Sequence, residues 1–441
     1  MKKLVSLLLV LVLALSLSSA ALAYDAANPI TIKFWHTRGS GANGETATKQ
    51  TQMFNETVGK ELGIIVEETY IGNYDTLFAQ FSLSTQAGEQ PAVVVSGNTY
   101  VVNLIDDGLL EDMMPYAERD GFDVANILDC FMDIAGNTDG ELYSLPYIRS
   151  TPVMYYNKTM ADAKGITVPQ VVTWDEMAEI AKAMVVKEDN GEVTTYGVEI
   201  FNDNGYYAAA WLNQLGEPML SAEGDLETRT SPALEGSSWL TVMDNWAKGV
   251  DEGWIRAFDA TSASTVATQM MYEGKLFGIL NSCGSMKNIV KNMAEAGYEL
   301  GVAQFPTYDA ARPVSEVGGG QICLVKKGNS EEIINAGWEY LKFLMSDEQQ
   351  FINSTGSGYL PCTKSVATYD QMVEFWAANP TFKVPFDQLD NAVCQEYPAY
   401  INLQEFILNW KEITDLVIGN RSLSAAEGLE QMKANVSMFM D

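Results

Sequence analysis

The groups from which this 441-residue chain would have to build acid–base or covalent chemistry are a single histidine, His36, five cysteines and 58 carboxylates. One histidine leaves little room for a serine–histidine triad or a His-rich zinc site, because both need imidazole as base or ligand. Cys130, Cys283, Cys323, Cys362 and Cys394 are scattered with no Cys-x-x-Cys pair, which makes zinc and thioredoxin-type readings weak. Their odd number leaves at least one without a partner in the chain. Most are expected as buried small hydrophobes, with a disulfide left open. Asp106, Asp107, Glu111 and Asp112 imitate a metal site, but a solvated helix end accounts for them better. An acid pair of the kind that hydrolyses glycosides stays open among so many carboxylates. No catalytic residue, metal ligand or cofactor site is assigned.

Reversible recognition of a polar solute has better material. Sugars and polyols present C–H faces that aromatic rings cover, and hydroxyls that amides, serines and backbone groups satisfy. Trp35, Tyr74, Tyr207, Trp211 and Tyr359 supply rings, Asn98 an amide, and Ser150 and Ser282 hydroxyls. Tyr207 and Trp211 share a face at helical spacing, a pattern that marks core more often than ligand surface, and both readings stay open here. Ser282 sits in Asn281-Ser-Cys-Gly-Ser285 at the predicted head of a helix. Backbone N–H groups gather there and suit a hydroxylated or anionic group, although a plain helix cap explains the turn too.

The stretch from Pro146 to Lys158, which holds Arg149 and Ser150, organises the elements that must position these residues. It opens extended, because the residue before Pro152 is pushed away from helix, and continues as an apolar strand over residues 153–156. Such a segment suits a passage between two lobes beside a polar ligand. Upstream, a strand over 30–36, the turn Gly39-Ser-Gly-Ala-Asn-Gly44 and a helix over 45–54 form a βα unit. The turn lacks the Gly-Lys-Ser/Thr ending of a phosphate-binding loop, so a plain turn is preferred over a nucleotide site.

Strands over 63–68 and 91–96, followed by helices over 75–86 and 98–106, imply a largely parallel sheet. Ligands of such sheets sit beyond the carboxyl ends of the strands, and Trp35, Tyr74 and Asn98 are expected to face one cleft there. Further strands are predicted over 196–201, 275–280, 299–304 and 321–326. Val317-Gly-Gly-Gly320 precedes the last and indicates a hinge or a close approach of backbone to ligand. Thr173 with Glu176, Asn329 with Glu332, Ser346 with Gln349 and Ser424 with Glu427 have capping-box spacing. No internal repeat or low-complexity linker separates the halves, so two lobes are expected to exchange segments.

Lys2 and Lys3 precede an uncharged apolar run over 4–17, and Ala21-Leu22-Ala23 follows with the small-x-small pattern of a cleavage site. Residues 1–23 therefore read as a signal peptide, a retained anchor being the weaker reading. No cysteine stands near the cleavage site to carry a lipid. The mature chain, with 25 basic residues against 58 acids, carries a charge of −33. That charge repels nucleic acid and anionic membranes and favours a soluble monomer. More than 400 residues are too many for one compact core, which makes two domains the expectation.

Phe34-Trp35-His36, Gly72-Asn73-Tyr74, Ser150-Thr-Pro-Val-Met-Tyr-Tyr-Asn-Lys158, the turn from Ser282 to Ser285, Gly318-Gly319 and Gly358-Tyr-Leu-Pro361 occur in that order. Together they resemble the extracellular solute-binding proteins of ABC importers, the maltose-binding-like group, and within it the sn-glycerol-3-phosphate-binding branch. The resemblance implies an α/β, two-lobed periplasmic-binding-protein fold of type II, each lobe a mainly parallel sheet flanked by helices, with crossover hinge strands. Lobe one is expected over 24–148 and 319–367, and lobe two over 149–318 and 368–441, with crossings near Ile148, Gly319 and Ala367.

The resemblance further implies a non-catalytic protein, periplasmic or extracellular, that needs no cofactor. It closes over a small-molecule sugar or polyol derivative and then meets the transmembrane subunits of a permease. Its ligand contacts fall on Tyr74, Ser150, Ser282, Gly319 and Tyr359. Two positions depart: Asn98 stands where the branch has an acid, and Phe406 where it has an arginine. Arg149, next to Ser150, and Arg38, after the first strand, are the nearby candidates to replace that cation, with a solvent-facing position as the other reading of each. The rival ligand is glycerol-3-phosphate or a glycerophosphodiester. The rivals of another class are a secreted glycoside hydrolase and, more weakly, a surface adhesin.

Overall fold

Ile32, Phe34 and His36 are buried on one side of the first strand while Thr31 and Lys33 face water, the alternation that a pleated strand imposes. In the computed structural model, which describes residue 24 and residues 26–132, 140–200, 206–221, 230–257, 263–393 and 403–438, that strand is the first of thirteen. They are β1 (Ile30–His36), β2 (Ile64–Tyr70), β3 (Val93–Gly97), β4 (Leu145–Ser150), β5 (Pro152–Asn157), β6 (Val186–Lys187), β7 (Val193–Ile200), β8 (Ile255–Arg256), β9 (Leu276–Ser282), β10 (Leu300–Gln304), β11 (Ser315–Glu316), β12 (Gly318–Leu324) and β13 (Ala392–Val393). The helices used below are α1 (Ala42–Glu56), α2 (Tyr74–Ala87), α3 (Asn98–Asp106), α4 (Trp174–Met184), α5 (Tyr206–Gln214), α6 (Ser238–Glu252), α7 (Ala263–Tyr272), α8 (Met286–Glu295), α9 (Glu331–Leu344), α10 (Asp347–Ser357), α11 (Leu403–Thr414) and α12 (Ala425–Val436). Residues 1–23 and Cys394 lie outside the described residues. Among those described, no helix is long and apolar enough to cross a membrane.

Two main sheets carry the fold, one ordered β2-β1-β3-β12-β4 and the other β10-β5-β9-β7-β6 with β8 beside β7. The stretch from Pro146 to Lys158, read above as one continuous segment, divides at Thr151: β4 belongs to the first sheet and β5 to the second. Both sheets are mixed. In the first, β1 runs parallel to β2 and β3, while β12 is antiparallel to β3 and β4. In the second, β7 is parallel to β8 and β9, while β5 is antiparallel to β9 and β10. The parallel neighbours come from local βα units; β5 and β12 enter from the other sheet and run against their neighbours.

Val93 and Val95 pack toward Phe54 of α1 and Trp338 and Leu341 of α9, whereas Val94 packs toward Leu77 and Phe81 of α2 and Val101 and Leu104 of α3. A strand buried on both faces reads as an unbroken apolar run, as Val93-Val-Val95 does. The second sheet is covered likewise: Val198, Phe277 and Leu280 face α4, α5 and α6, while Tyr155, Ile279 and Val302 face α7 and α8. One core contains Ile148 of the first sheet together with Val153 and Met286 from the second, so apolar packing is continuous through the crossover.

The capping boxes at Thr173 and Ser424 form as the spacing predicts. Asn329 does not cap. It donates to the Pro91 and Val325 carbonyls, and Ser330 caps α9 by accepting from the Ile333 N–H. Ser346 precedes α10, but its hydroxyl turns back to the Phe343 carbonyl. The three glycines after Val317 are the first residues of β12 itself, not a linker before it.

Candidate functional site

Strand register brings the ends of the two sheets together around Thr151. Ser150 stands opposite Gly318, Arg149 opposite Gly319 and Ile148 opposite Gly320 in the first sheet, and Pro152 stands opposite Ser282 in the second. The carboxyl ends of β3, β4, β7, β8 and β9 and the first residues of β12 all lie on this side, where open α/β sheets hold ligands.

Thr151 is fully buried and bound from several segments. Its hydroxyl donates to the Glu316 carbonyl at 2.8 Å and accepts from Gln388 Nε2 at 2.6 Å; its carbonyl accepts from the Cys283 N–H at 3.0 Å. Gln388 also donates to the Pro152 carbonyl and accepts from the Phe305 N–H, tying a third chain segment to the same point. Two adjacent peptides that must end one sheet and begin another leave backbone groups without ladder partners, and these side chains satisfy them.

Of the residues expected from sequence, Ser150, Ser282, Gly319 and Tyr359 are brought to this junction. Ser282 caps the turn into α8, its Oγ accepting from the Gly284 N–H at 3.2 Å. Gly319 has φ +98°, and a Cβ there would stand 2.0 Å from the Ile148 carbonyl oxygen, so conformation and space both require glycine. Tyr359 follows α10 in a segment held by the Leu360 N–H donating to the Arg149 carbonyl at 2.8 Å. Burial pushes the Tyr359 hydroxyl upward in pKa, with the nearby Arg38 charge opposing it, so the phenol is a neutral donor. Tyr74 opens α2, placed by Asn73, whose side chain accepts from the Thr76 N–H. Asn98 opens α3 directly after β3; its side chain lies outside the described residues.

Other expected residues are placed differently. Arg149 is fully buried, its guanidinium over the Phe131 ring at 5.4 Å and its Nη1 3.4 Å from the Gly319 carbonyl. Neighbouring residues of a strand alternate in face, so Arg149 and Ser150 start from opposite sides of β4. Tyr207 and Trp211 belong to the core: Trp211 donates to the Pro306 carbonyl at 2.8 Å and packs on Trp174, Trp246 and Phe305, while Tyr207 stacks on Phe305. Both are buried, so the apolar stripe faces the second sheet rather than a cleft. Trp35 lies within β1, not after it, and is half-buried against the cluster of α2 and α3. Phe406 is buried on Trp410, an apolar place with no use for a cation.

Arg38 emerges with a larger part than its place in the sequence suggested. It is 2 % exposed, and its Nη1 donates to Gln50, Tyr147 and Asn353 at 3.3, 3.1 and 2.7 Å. Its guanidinium lies 5.5 Å from the Tyr147 ring and 5.8 Å from the Tyr359 ring. Thr151 and Gln388 carried no sequence signal, because their partners are more than 80 residues away. Gly97 and Gly284 were visible as glycines at a strand end and in a turn.

Comparison with known proteins bears on the family and the fold. The sn-glycerol-3-phosphate-binding periplasmic protein UgpB of Brucella melitensis is 26% identical over 383 residues, spanning 86% of this chain and 84% of that one. The protein of the same name from Rhizobium meliloti is 24% identical over 375 residues, 83% of each chain. Among solved structures, UgpB from Mycobacterium tuberculosis in complex with glycerophosphocholine superposes with a TM-score of 0.77 at 19% identity, covering 93% of this chain and 98% of that one. The cyclic alpha-maltosyl-1,6-maltose binding protein from Arthrobacter globiformis gives 0.74 at 17% identity, covering 93% and 99%. The fold is thus the two-lobed, type II periplasmic-binding arrangement of α/β sheets. With residues 49–384 matching the profile described as bacterial extracellular solute-binding protein, the chain belongs to that family.

Proposed function

We propose that this protein captures a carbohydrate or polyol derivative outside the cytoplasmic membrane, in the crevice where the two sheets meet, and hands it to an ABC permease without chemical change. One observation carries the reading: the crossing at Thr151 gathers Ser150, Ser282 and Gly319 from two sheets, with Tyr359 beside them. Hydroxyls, a neutral phenol and a half-buried glycine backbone are donors and acceptors for a polyhydroxylated solute. Tyr74 and Asn98, at the heads of α2 and α3, complete the crevice in this reading, and Trp35 borders it.

The lobes are the two sheets with their helices, divided between 148 and 149, between 318 and 319, and between 367 and 368. The change of sheet at Thr151 and between β11 and β12 supports the first two divisions to within three residues, with Arg149 and Ser150 of β4 and Gly318 of β12 going with the first sheet. The bonds of Gln388 to Thr151 and Phe305 suggest that the third passage extends to that residue. The signal-like residues 1–23 support export, and the charge of the mature chain supports a monomer.

A thermal-shift panel of neutral sugars, polyols and phosphodiesters tests the reading, because a compound that binds only the folded protein raises its melting temperature. Saturable one-to-one binding without turnover is expected. Release of free sugar from glycosides would assign the protein to the hydrolases instead. A phosphate ester is the second reading, favoured by the names of the Brucella and Rhizobium relatives.

A further inference from the structure

We infer that three glycines, Gly97, Gly320 and Gly284, are positioning residues of the crevice: they are the seats on which Tyr74 and Tyr359 lie. This rests on the reading of the crevice as the solute site. Gly97 ends β3 and Gly320 lies in β12, and the two stand directly opposite each other in antiparallel register. Glycine weakens a strand interior, and a cross-strand pair leaves a dent one side chain deep, so its presence calls for something that approaches the backbone closely.

The Tyr74 ring fills that dent. A Cβ on Gly97 would stand 3.2 Å from Tyr74 Cγ, and a Cβ on Gly320 would stand 2.7 Å from the Tyr74 hydroxyl oxygen. The second methyl would also press on Ile148 and Val95, each at 3.0 Å. Neither glycine has a positive φ, so what opposes alanine at these places is contact alone: at Gly97 the Tyr74 ring would have to give by a few tenths of an ångström, and at Gly320 a neighbour would have to move outright. Gly319 differs, since its backbone conformation excludes alanine whatever the space.

Gly284 does the same for the other ring. A Cβ there would meet Tyr359 Cε1 at 2.5 Å and Cδ1 and Cζ at 2.9 Å. Gly284 belongs to the turn leaving β9 of the second sheet, whereas Tyr359 hangs from the segment bonded to β4 of the first. Only a residue without a side chain lets that ring lie between the two. The seats therefore fix where both phenols stand relative to Ser150 and Ser282.

The test uses the mature chain with Gly97→Ala, Gly320→Ala, Gly284→Ala, Tyr74→Phe and the double variant Gly320→Ala with Tyr74→Phe. Maltotriose and sn-glycerol 3-phosphate are the calorimetric probes. Gly97→Ala, the mildest intrusion, is expected to weaken whichever probe binds the wild type at least tenfold while the solute-free melting temperature stays within a few degrees. A residue that serves only packing would lower the melting temperature and leave the affinity of the folded protein unchanged, which would overturn the inference.

In the solute-free protein, Tyr74→Phe removes the atom that the Gly320→Ala methyl strikes, so the double variant should recover part of the melting temperature lost by Gly320→Ala. Additive effects would overturn the seat on Tyr74. Failure of Gly320→Ala to fold unless Tyr74 is Phe supports it. If the wild type binds neither probe, the solute reading is what suffers, while the solute-free cycle still decides whether the glycines seat the ring.

Discussion

Arg38 illustrates how a single side chain at the crevice is held. Its charge is removed from water and met by the neutral oxygens of Gln50, Tyr147 and Asn353, which belong to α1, β4 and α10. Charge-assisted hydrogen bonds are stronger than neutral ones, and three elements converge on one guanidinium plane. Arg38→Met should cost about 1.5 to 3 kcal/mol of stability, the range for hydrogen bonds to a charged group. Arg38→Lys should not restore it, because the shorter, more strongly hydrated ammonium costs more to bury and loses the guanidinium's place over the Tyr147 and Tyr359 rings; chemical denaturation of the three proteins decides this. Trp211 gives a second comparison. Being wholly buried with its indole N–H bonded to Pro306, it should lose about 3 to 5 kcal/mol on Trp211→Ala, well above the loss for Trp35→Ala at a half-buried site. Unfolding midpoints of the two variants at equal m-values measure the difference. Helical spacing shows that Tyr207 and Trp211 share a face but not which way the face points, so the sequence left core and ligand wall both open. Tyr74, Ser150, Ser282, Gly319 and Tyr359 were named from the resemblance, whose short motifs hold a glycine or proline near each. The anchoring of Arg38 was not legible, since its acceptors lie 12, 109 and 315 residues away.

At the scale of elements, the short helix Met114–Asp120 is fastened to α9 by the Asp120 carboxylate and by Arg119, whose Nη1 donates to Asn335 at 2.7 Å. Asp120 takes hydrogen bonds from Arg119 at 2.7 and 3.0 Å, from the Trp338 indole at 2.9 Å and from Lys342 at 2.7 Å. The Arg119 bonds, with Lys342 and Trp338 adding to them against the opposing effect of burial, hold its carboxyl far below the ordinary 3.8. A carboxyl depressed by folding stabilises the native state above its unfolded pKa, and the contribution is lost as the pH falls toward the folded value. Asp120→Asn should therefore cost about 1.5 to 3 kcal/mol at neutral pH. The gap between variant and wild type should close progressively below pH 3.8. Urea titrations at pH 7, 4 and 3 provide the check, and a gap that stays constant would remove Asp120 from the account. Strand and helix existence was largely readable, because periodicity and capping residues are local. The division at Thr151 was not: Pro146 to Lys158 has strand chemistry throughout, and only distant partners, β12 on one side and β9 on the other, assign its halves to different sheets. Mixed strand direction was hidden for the same reason, as β12 pairs with strands more than 150 residues earlier.

For the whole molecule, two sheets joined at Thr151, between β11 and β12, and through the segment ending near Gln388 have few places to bend. A solute that touches both sheets favours the closed form by its differential contacts, and moving a 1:99 population to 99:1 takes about 5.5 kcal/mol of such preference. Small-angle scattering should show a smaller radius of gyration at saturating solute; an unchanged profile with bound solute would count against closure. Two-lobed organisation was legible from length and from the exchange of segments, but the charge preference of the crevice is a property of the assembled molecule. A phosphate monoester is mostly dianionic at neutral pH and needs charge-assisted donors to offset its desolvation. Phe406 is packed on Trp410 in the core, Arg149 is buried over Phe131 with its Nη1 on the Gly319 carbonyl, and Arg38 is buried with its Nη1 shared among three protein oxygens, its Nε and Nη2 having no hydrogen-bond partner among the described residues. The net charge of the chain, −31, adds long-range repulsion of anions at low salt. A neutral oligosaccharide such as maltotriose should therefore bind at least tenfold more tightly than sn-glycerol 3-phosphate, a difference of about 1.4 kcal/mol or more. Calorimetry at two ionic strengths separates the cases. Tighter binding of sn-glycerol 3-phosphate that weakens with salt would mean that a cation reaches the crevice on closing, and Arg38→Met and Arg149→Met would then identify which.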